Sequence, residues 1–179
     1  AELGTPFDEA FSAFSEPVAA ASIAQVHRAR LTSTGEWVAV KVLRPGIERA
    51  FRRDIDAFYF AASVIELLSP SSRRLRPSDV ITHFEETVLG ELDLRLETAA
   101  AAEFAATTAK DPGFRVPQVH LFLSSKRVMT LEWVDGFAAS DIAAIEAAGH
   151  DRVVLAERVM QLFLSHALRD GYFHADMHQ

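Results

Sequence analysis

The sequence predicts an α+β fold in which an antiparallel sheet is combined with several long helices. Between residues 17 and 43, short runs rich in β-branched side chains are separated by turns, which is typical of neighbouring strands. From residue 47 onward, apolar side chains recur every three or four positions over long segments, which is typical of helices that pack on one face.

The composition is that of a globular chain. Its 179 residues correspond to one domain or slightly more, at about 150 residues per domain. A content of 49% hydrophobic and 24% charged residues excludes a disordered or fibrous chain. The net charge of −7 argues against nucleic-acid binding through phosphate neutralisation, and the lack of cysteine excludes disulfides and cysteine-ligated zinc. No apolar run reaches the ~18 residues that a membrane span needs.

The first third of the chain predicts a helix, three strands and a second helix. Residues 1–14 carry apolar side chains at helical spacing and predict a short amphipathic helix. Residues 17–43 predict three strands, which are joined by an Ala-rich turn and then by a turn at Ser33-Thr34-Gly35, and the third strand is 37–43. Residues 47–68 predict one helix, which the following Ser-Pro sequence ends.

The rest of the chain predicts helices on either side of a strand pair. Residues 69–76 are polar and basic and predict a linker, and residues 77–109 predict one long helix. Residues 116–123 and 127–134 predict paired strands. Two helices follow, a short one to residue 148 with Ser140-Asp141 as its cap and a longer one over 153–169 that Gly171 ends.

Lys41 interrupts an apolar strand. Val38, Val40 and Val42 share one face of residues 37–43, and the other face is also largely apolar, so both faces are expected to be buried. A buried ammonium is costly unless a carboxylate or a phosphate lies near it. Either Lys41 has such a partner, or it reaches solvent from an edge strand.

Two other segments carry candidate groups for the same site. The Ala-rich segment 19–27 lies where a nucleotide-binding hairpin has its phosphate-covering turn. Alanine does not supply the positive φ angles of glycine, and a plain structural turn is the alternative. Glu91, Asp93 and Glu97 lie on the predicted long helix, and the last two share a face. A helix carboxylate that faces a strand lysine is typical of kinase-like sites, whereas a solvated acidic face with Arg95 as local partner is the alternative.

The sequence His174-Ala175-Asp176-Met177-His178 forms a dense polar loop after the last helix. Two imidazoles and a carboxylate are a candidate metal site for zinc or iron. Alternatively, the segment is a catalytic loop in which Asp176 is the base and the histidines orient the loop.

These segments, in this order, resemble the UbiB family of atypical protein-kinase-like proteins, which is linked to ubiquinone biosynthesis. The Ala-rich turn resembles the loop that replaces the kinase Gly-rich loop in that family, and Val38-Ala39-Val40-Lys41 resembles the V-A-I-K strand. The resemblance implies a kinase-like small lobe with a helical insert over residues 1–134. It also implies the first helices of the large lobe, ending in the catalytic loop, over residues 135–179.

The resemblance also implies roles for single residues. Lys41 and Asp176 are the implied catalytic residues, since His174-Ala175-Asp176 resembles the family's version of H-R-D, and Glu97 is the implied partner of Lys41. Glu91-Leu92-Asp93 resembles the E-x-D motif, so Glu91 and Asp93 are candidate metal ligands. The residues from Glu132 to Gly136 resemble the hinge between lobes. The implied nucleotide-binding residues are Ala20, Ala21, Ser22, Ile23, Ala24, Lys41, Glu91, Asp93, Glu97, Glu132 and Val134.

The resemblance implies that the intact protein binds ATP or ADP with Mg²⁺ and hydrolyses ATP or transfers its γ-phosphate in support of ubiquinone biosynthesis, together with proteins or lipids of that pathway. It further implies a longer bacterial parent at the cytoplasmic face of the inner membrane, with these residues themselves soluble. The family's K-x-G-Q motif, metal-binding Asn and D-F-G Asp are not in the sequence, so we expect a part of a longer protein. A non-catalytic scaffold that binds a partner or a membrane surface is the alternative, and a metallohydrolase is a third hypothesis.

Overall fold

A computed structural model describes residues 2–172, and it confirms the predicted α+β class. The sheet is antiparallel and has the strand order β1-β2-β3-β4. Its strands are β1 (Phe11–Ala20), β2 (Ala24–Leu31), β3 (Trp37–Leu43) and β4 (Val128–Glu132). The helices are α1 (Phe7–Ala10), α2 (Ile47–Leu68), α3 (Pro77–Glu91), α4 (Leu94–Thr107), α5 (Ile142–Ala147) and α6 (Arg152–Ser165).

The chain divides into two compact units. In the described residues, the first unit holds the chain up to Ala99 together with Val119–Glu132, and the second holds Ala100–Gln118 together with the chain from Trp133 onward. The first unit therefore contains the whole sheet. No helix in the described part of the chain is long and apolar enough to cross a membrane.

One face of the sheet packs against Leu3, from the segment before the sheet, and against Phe14 of β1. The buried core cluster on this face includes Ala29, Val38, Val40 and Val128, and Leu3 and Phe14 pack against it. The alternation of the strands turns Lys41 to the opposite face, because side chains at successive positions point to opposite sides of a sheet. The three strands predicted between residues 17 and 43 are confirmed.

The prediction of a helix over residues 1–14 is correct only for α1. From Phe11 onward the chain is strand β1, in which Phe11 pairs with Leu31 and is 4% exposed. The rings of Phe7, Phe11 and Phe14 contact one another at centroid distances of 5.1–5.7 Å. Ladder hydrogen bonds to β2 and burial of Phe11 therefore outweigh the helical spacing of the apolar residues.

Helix α2 has the predicted bounds, and the polar stretch that follows it is a 3₁₀ helix over Pro70–Leu75. Helices α2 and α3 contact each other through Phe58 and Phe84, whose ring centroids lie 6.0 Å apart. The Tyr59 hydroxyl lies 3.0 Å from the Thr82 hydroxyl and donates to the Glu85 carboxylate at 2.9 Å.

The prediction of one helix over residues 77–109 is wrong, because the chain breaks between α3 and α4. Leu92 and Leu94, on either side of Asp93, are each 2% exposed, and a continuous helix would not bury both toward the same core. The Leu94 N–H donates to the Lys126 carbonyl at 2.9 Å instead of to an earlier turn. The break thus ties the start of α4 to the residues before β4.

The prediction of a strand over residues 116–123 is also wrong. In the described residues this segment has one isolated bridge, between Val119 and Leu131, and a 3₁₀ turn over Leu121–Leu123. Pro117 lacks an N–H for a ladder. The Thr130 hydroxyl donates to the Leu123 carbonyl at 2.6 Å, so a side-chain bond replaces a ladder bond here.

The second unit confirms the predicted caps. The Asp141 carboxylate accepts from the Ala144 N–H at 3.0 Å at the start of α5. Helix α6 ends earlier than predicted, at Ser165, and continues as a π-helical turn over His166–Asp170. Gly171 then ends the turn with φ +65°, a conformation that favours glycine.

Asp111, in the loop after α4, is the acidic centre of this unit. Its carboxylate accepts from both terminal nitrogens of Arg169 at 2.9 and 2.7 Å and lies 2.8 Å from His166 Nε2. These hydrogen bonds, that from Arg169 above all, lower the pKa of Asp111 to about 2 against the opposing effect of burial. The ionised carboxylate is therefore favoured by folding.

We expect Leu94→Ala to lower the free energy of unfolding by about 2–5 kcal/mol, since the substitution leaves a cavity at a buried position. Leu96→Ala on the same helix is the matched control, because Leu96 is 60% exposed. It should change stability by less than about 0.5 kcal/mol. Urea unfolding of both variants measures the difference, and equal losses would contradict the assignment of the buried face of α4.

We expect Asp111→Asn to destabilise the protein at neutral pH, with a difference from wild type that shrinks as the pH falls. The folded pKa of Asp111 lies below the ordinary carboxyl value of about 4, so its contribution is complete above that value and is lost as the pH falls through about 2. Urea unfolding at a series of pH values measures this. Repeating the substitution in an Arg169→Gln background should flatten the pH dependence, and an unchanged slope would refute the coupling.

Candidate functional site

Lys41 and Glu97, the pair implied by the resemblance, are in contact. Lys41 Nζ donates to both carboxylate oxygens of Glu97, at 2.7 Å to Oε1 and 2.6 Å to Oε2. The two side chains are 28% and 49% exposed. The expectation that both faces of β3 are buried therefore holds at Val38 and Val40 but is wrong at Lys41, whose ammonium keeps part of its contact with water.

The helix break positions Glu97. Glu97 lies in the first turn of α4, where a carboxylate is favoured by the unpaired N–H groups of the helix start. The start of α4 is fixed by the bond from the Leu94 N–H to the Lys126 carbonyl, just before β4. On β4, Met129 lies directly opposite Lys41. Helix α4 and strand β4 are therefore tied together through Lys126. Because β4 pairs with β3, this tie places Glu97 near Lys41.

Glu91 and Asp93 lie at this break rather than within one long helix. Glu91 ends α3, is exposed, and makes no hydrogen bond or ion pair within residues 2–172. Both oxygens of Asp93 accept from the Arg95 guanidinium, at 2.9 and 2.6 Å, and this bond lowers the pKa of Asp93 to about 2. Carboxylate oxygens suit Mg²⁺. Glu91 thus fits a magnesium ligand as it stands, whereas Asp93 is already neutralised by Arg95.

The Ala-rich turn lies at the same end of the sheet as Lys41. In register, Lys41 lies opposite Val26, and Val26 lies opposite Ala19 on β1. The turn residues Ala20, Ala21, Ser22, Ile23 and Ala24 follow directly along the chain. The turn has no residue with positive φ, so alanine is compatible with every position in it.

The Ala-rich turn has unpaired backbone N–H groups, and Arg44 holds two of its carbonyl groups. Within the described residues, the backbone N–H groups of Ser22 and Ile23 have no hydrogen-bond partner. The Arg44 guanidinium donates twice to the Ala21 carbonyl, at 3.2 Å each, and the Arg44 N–H donates to the Ile23 carbonyl at 2.9 Å. Two adjacent unpaired N–H groups on an anchored turn are a candidate anion-binding feature.

The remaining predicted residues are Glu132, Val134 and Asp176. Glu132 ends β4 opposite Val38, three positions along the strand from the row of Lys41. Val134 is exposed and belongs to the second unit. Asp176, with its flanking histidines, lies outside the described residues.

Two residues of this site carried no recognisable signal in the sequence. Arg44 directly precedes Pro45-Gly46 and predicts only the end of a strand, and Lys126 predicts only a turn. Arg44 acts across the sheet on Ala21, and the backbone of Lys126 acts on Leu94. Contacts between residues this far apart in sequence depend on the register of the strands, which no local pattern specifies.

The geometry of the Lys41–Glu97 pair leaves one donor for a ligand. A lysine ammonium carries three N–H groups, and the two oxygens of Glu97 take two of them. Within residues 2–172 the third N–H has no acceptor and can bind an anion, with Glu97 holding the ammonium in place. The pair and the unpaired N–H groups of the Ala-rich turn, at the same end of the sheet, are groups suited to a phosphate.

Known proteins similar to this chain carry the name of a kinase. The chain is 42% identical over 176 residues to the probable protein kinase UbiB of Klebsiella pneumoniae, covering 98% of this chain and 32% of that protein. It is 42% identical over 178 residues to the probable protein kinase UbiB of Azotobacter vinelandii, and 41% identical over 179 residues to that of Shewanella baltica, covering 99% of this chain and 33% of each relative.

The chain spans about a third of the length of these curated relatives. The family model of the ABC1 atypical kinase-like domain matches residues 1–179, which is the whole of the chain. A strand lysine held by a helix glutamate next to a small-residue turn is consistent with that match, and the chain belongs to the family of ABC1 atypical kinase-like domains.

Proposed function

We propose that the protein containing this chain binds ATP or ADP with Mg²⁺ and either hydrolyses ATP or transfers its γ-phosphate, in support of ubiquinone biosynthesis. The observation that carries this proposal is the bidentate contact between Lys41 and Glu97. In kinase-like sites the same pair positions the nucleotide phosphates. The name of the relatives, probable protein kinase UbiB, supports the assignment.

The phosphates would be held from two sides. The third N–H of the Lys41 ammonium donates to a phosphate oxygen while Glu97 keeps the side chain extended from β3. The N–H groups of Ser22 and Ile23 donate to another oxygen, in the way that glycine-rich turns use their backbone. The small side chains of Ala20, Ala21 and Ala24 leave room for a phosphate to approach the backbone N–H groups of the turn.

Glu91 is the residue that would hold Mg²⁺, with Asp93 joining it only if Arg95 releases the carboxylate. When bound, Mg²⁺ supplies positive charge that neutralises the phosphate oxygens. Asp176 would orient or deprotonate the acceptor, and Glu132 and Val134 would contact the adenine as residues of the hinge. The two lobes, 1–134 and 135–179, remain a prediction.

The parent would act at the cytoplasmic face of a bacterial inner membrane, with proteins or lipids of ubiquinone biosynthesis as its partners. This part of the proposal rests on the family and on the name of the relatives. A small, apolar quinone precursor partitions into the bilayer. A nucleotide-dependent protein that handles such precursors would therefore work next to the membrane.

We expect Lys41→Ala in the full-length protein to abolish the thermal stabilisation that ADP or ATP gives the wild type. A ligand at 100 times its Kd stabilises the folded state by about 2.7 kcal/mol, which is readily measured as a shift in Tm. Lys126→Ala is the matched control, since the Lys126 side chain also pairs with a glutamate, Glu48, at 3.0 Å, and alanine keeps the backbone carbonyl that accepts from Leu94. This control should keep the full shift.

A nucleotide shift that survives in Lys41→Ala would refute the role given to the Lys41–Glu97 pair. No shift in the wild type would favour the scaffold hypothesis, in which the fold is kept without a nucleotide. Stoichiometric zinc retained through dialysis would favour the metallohydrolase hypothesis.

We expect Glu91→Gln to remove most of the additional stabilisation that Mg²⁺ gives to the nucleotide complex, because the amide does not carry the charge that a magnesium ligand supplies. Titration with ADP in the presence of Mg²⁺ or of a chelator measures this increment. Glu86→Gln, an exposed position on the same helix, is the control and should keep it. An equal increment in wild type and Glu91→Gln would rule out Glu91 as a ligand.

A further inference from the structure

A second network of charges lies in the second unit, away from the groups used above. The Arg169 guanidinium donates to both oxygens of Asp111, at 2.9 and 2.7 Å, and to both oxygens of Asp170, at 2.7 and 2.6 Å. His166 Nε2 lies 2.8 Å from Asp111 Oδ2. Because the Asp111 carboxylate is ionised at neutral pH, Nε2 is the donor of that bond.

The ligand atoms of Asp111, His166 and Asp170 lie within 4.8 Å of one another, which is a spacing that a metal ion could use. The position of the cation is taken by Arg169, however, since all four carboxylate oxygens accept from its guanidinium. A metal would have to displace a guanidinium that neutralises both carboxylates. The cluster is therefore an ion-pair network.

His166 is the buried member of the network. It is 4% exposed, and the rings of Phe104 and Phe114 pack against its imidazole at centroid distances of 5.1 and 4.8 Å. A hydrogen-bonded polar group enclosed by aromatic rings allows few alternative arrangements, because any other arrangement leaves a donor unpaired. The network thus fixes the loop that begins at Asp111 against the π-helical turn.

The same turn fixes Tyr172, the last described residue. The Tyr172 N–H donates to the His166 carbonyl at 3.2 Å, and its hydroxyl donates to the Ala100 carbonyl at 2.9 Å. Its ring stacks on Phe104 at 5.0 Å with the planes 16° apart. Tyr172 is therefore held at three points on α4 and on the turn. Asp176 follows four positions later in the sequence.

We propose that Asp111, His166 and Arg169 are positioning residues for Asp176, because they fix the turn that ends at Gly171 and Tyr172, four positions before Asp176 in the sequence. The proposal rests on the proposed function, in which Asp176 orients the acceptor. The π-helical turn supports it, since single π-helical turns recur at functional sites. A group placed this way controls the rate of the chemical step, because it acts on geometry after the nucleotide has bound.

The test compares two substitutions of His166 with a control substitution at another histidine, all in the full-length protein. His166→Phe keeps a ring between Phe104 and Phe114 but removes the donor to Asp111. His166→Gln places an amide nitrogen near the position of Nε2 and restores the donor. His150→Phe, at an exposed histidine in the loop before α6, is the control.

We expect His166→Phe to lower kcat for ATP turnover by about 10- to 100-fold, while the Kd for ADP stays within about twofold of wild type. His166→Gln should recover most of the lost rate, and the control should match wild type. Hydrogen exchange of the peptide that spans His166–Tyr172 should be faster in His166→Phe and should return toward wild type in His166→Gln.

A wild-type kcat and unchanged exchange in His166→Phe would overturn the proposal, as would a Kd that rises in step with the loss of kcat. Arg169→Lys is the second variant, should His166→Phe not fold, because Arg169 is half exposed and lysine cannot reach both carboxylates. It should reproduce the loss of kcat at constant Kd, and a wild-type kcat would count against positioning. If the wild type turns over no ATP, the proposed function fails, and the exchange data alone decide whether the network fixes the turn.

Discussion

The charge on Lys41 is the constraint around which the first unit is arranged. An ammonium on the inner strand β3 needs a partner, because β2 and β4 flank it and Met129, directly opposite, is 1% exposed. Glu97, in the first turn of α4, is that partner, and the Lys41 side chain is only partly exposed to water. The contact lasts only as long as the start of α4 stays in place.

The break between α3 and α4 meets this requirement. In a continuous helix through residues 91–97, the Leu94 N–H would bond within the helix. It would then not be available to the Lys126 carbonyl, just before β4. Ending α3 at Glu91 frees the Leu94 N–H for the Lys126 carbonyl, and burial of Leu92 and Leu94 secures the new start. The Arg95 bond to Asp93 neutralises the acidic residue at the break. The helix start then presents Glu97 one turn later.

The sequence was sufficient to predict structure wherever the signal is local. Strand β3, helix α2 and the Asp141 cap follow from β-branched runs, helical periodicity and a capping carboxylate, and each is confirmed. Residues 11–14, the helix break and residues 116–123 were mispredicted, because pairing with distant strands and burial in a shared core decide them.

The same distinction applies to the candidate site and to the second unit. The contact between Lys41 and Glu97 could be expected from the resemblance to a known family, because in that family the strand lysine pairs with a helix glutamate. No motif links Asp111 to His166, which lie 55 positions apart. Asp111-Pro112-Gly113 predicts only a helix end. The network can be recognised only from the structure, which brings this loop next to the π-helical turn.

The two charge networks differ in what they leave unsatisfied, and this difference bears on their roles. In the network of Arg169, every carboxylate oxygen of Asp111 and Asp170 has a donor, so binding another ligand would require breaking an existing charge-assisted bond. In the pair of Lys41 and Glu97, one N–H of the ammonium has no acceptor in Glu97, and the side chain is 28% exposed. A network in which every carboxylate oxygen has a donor stabilises one arrangement of the chain. A pair with one N–H left over can donate to a phosphate while Lys41 stays bound to Glu97. The first is therefore suited to positioning and the second to binding.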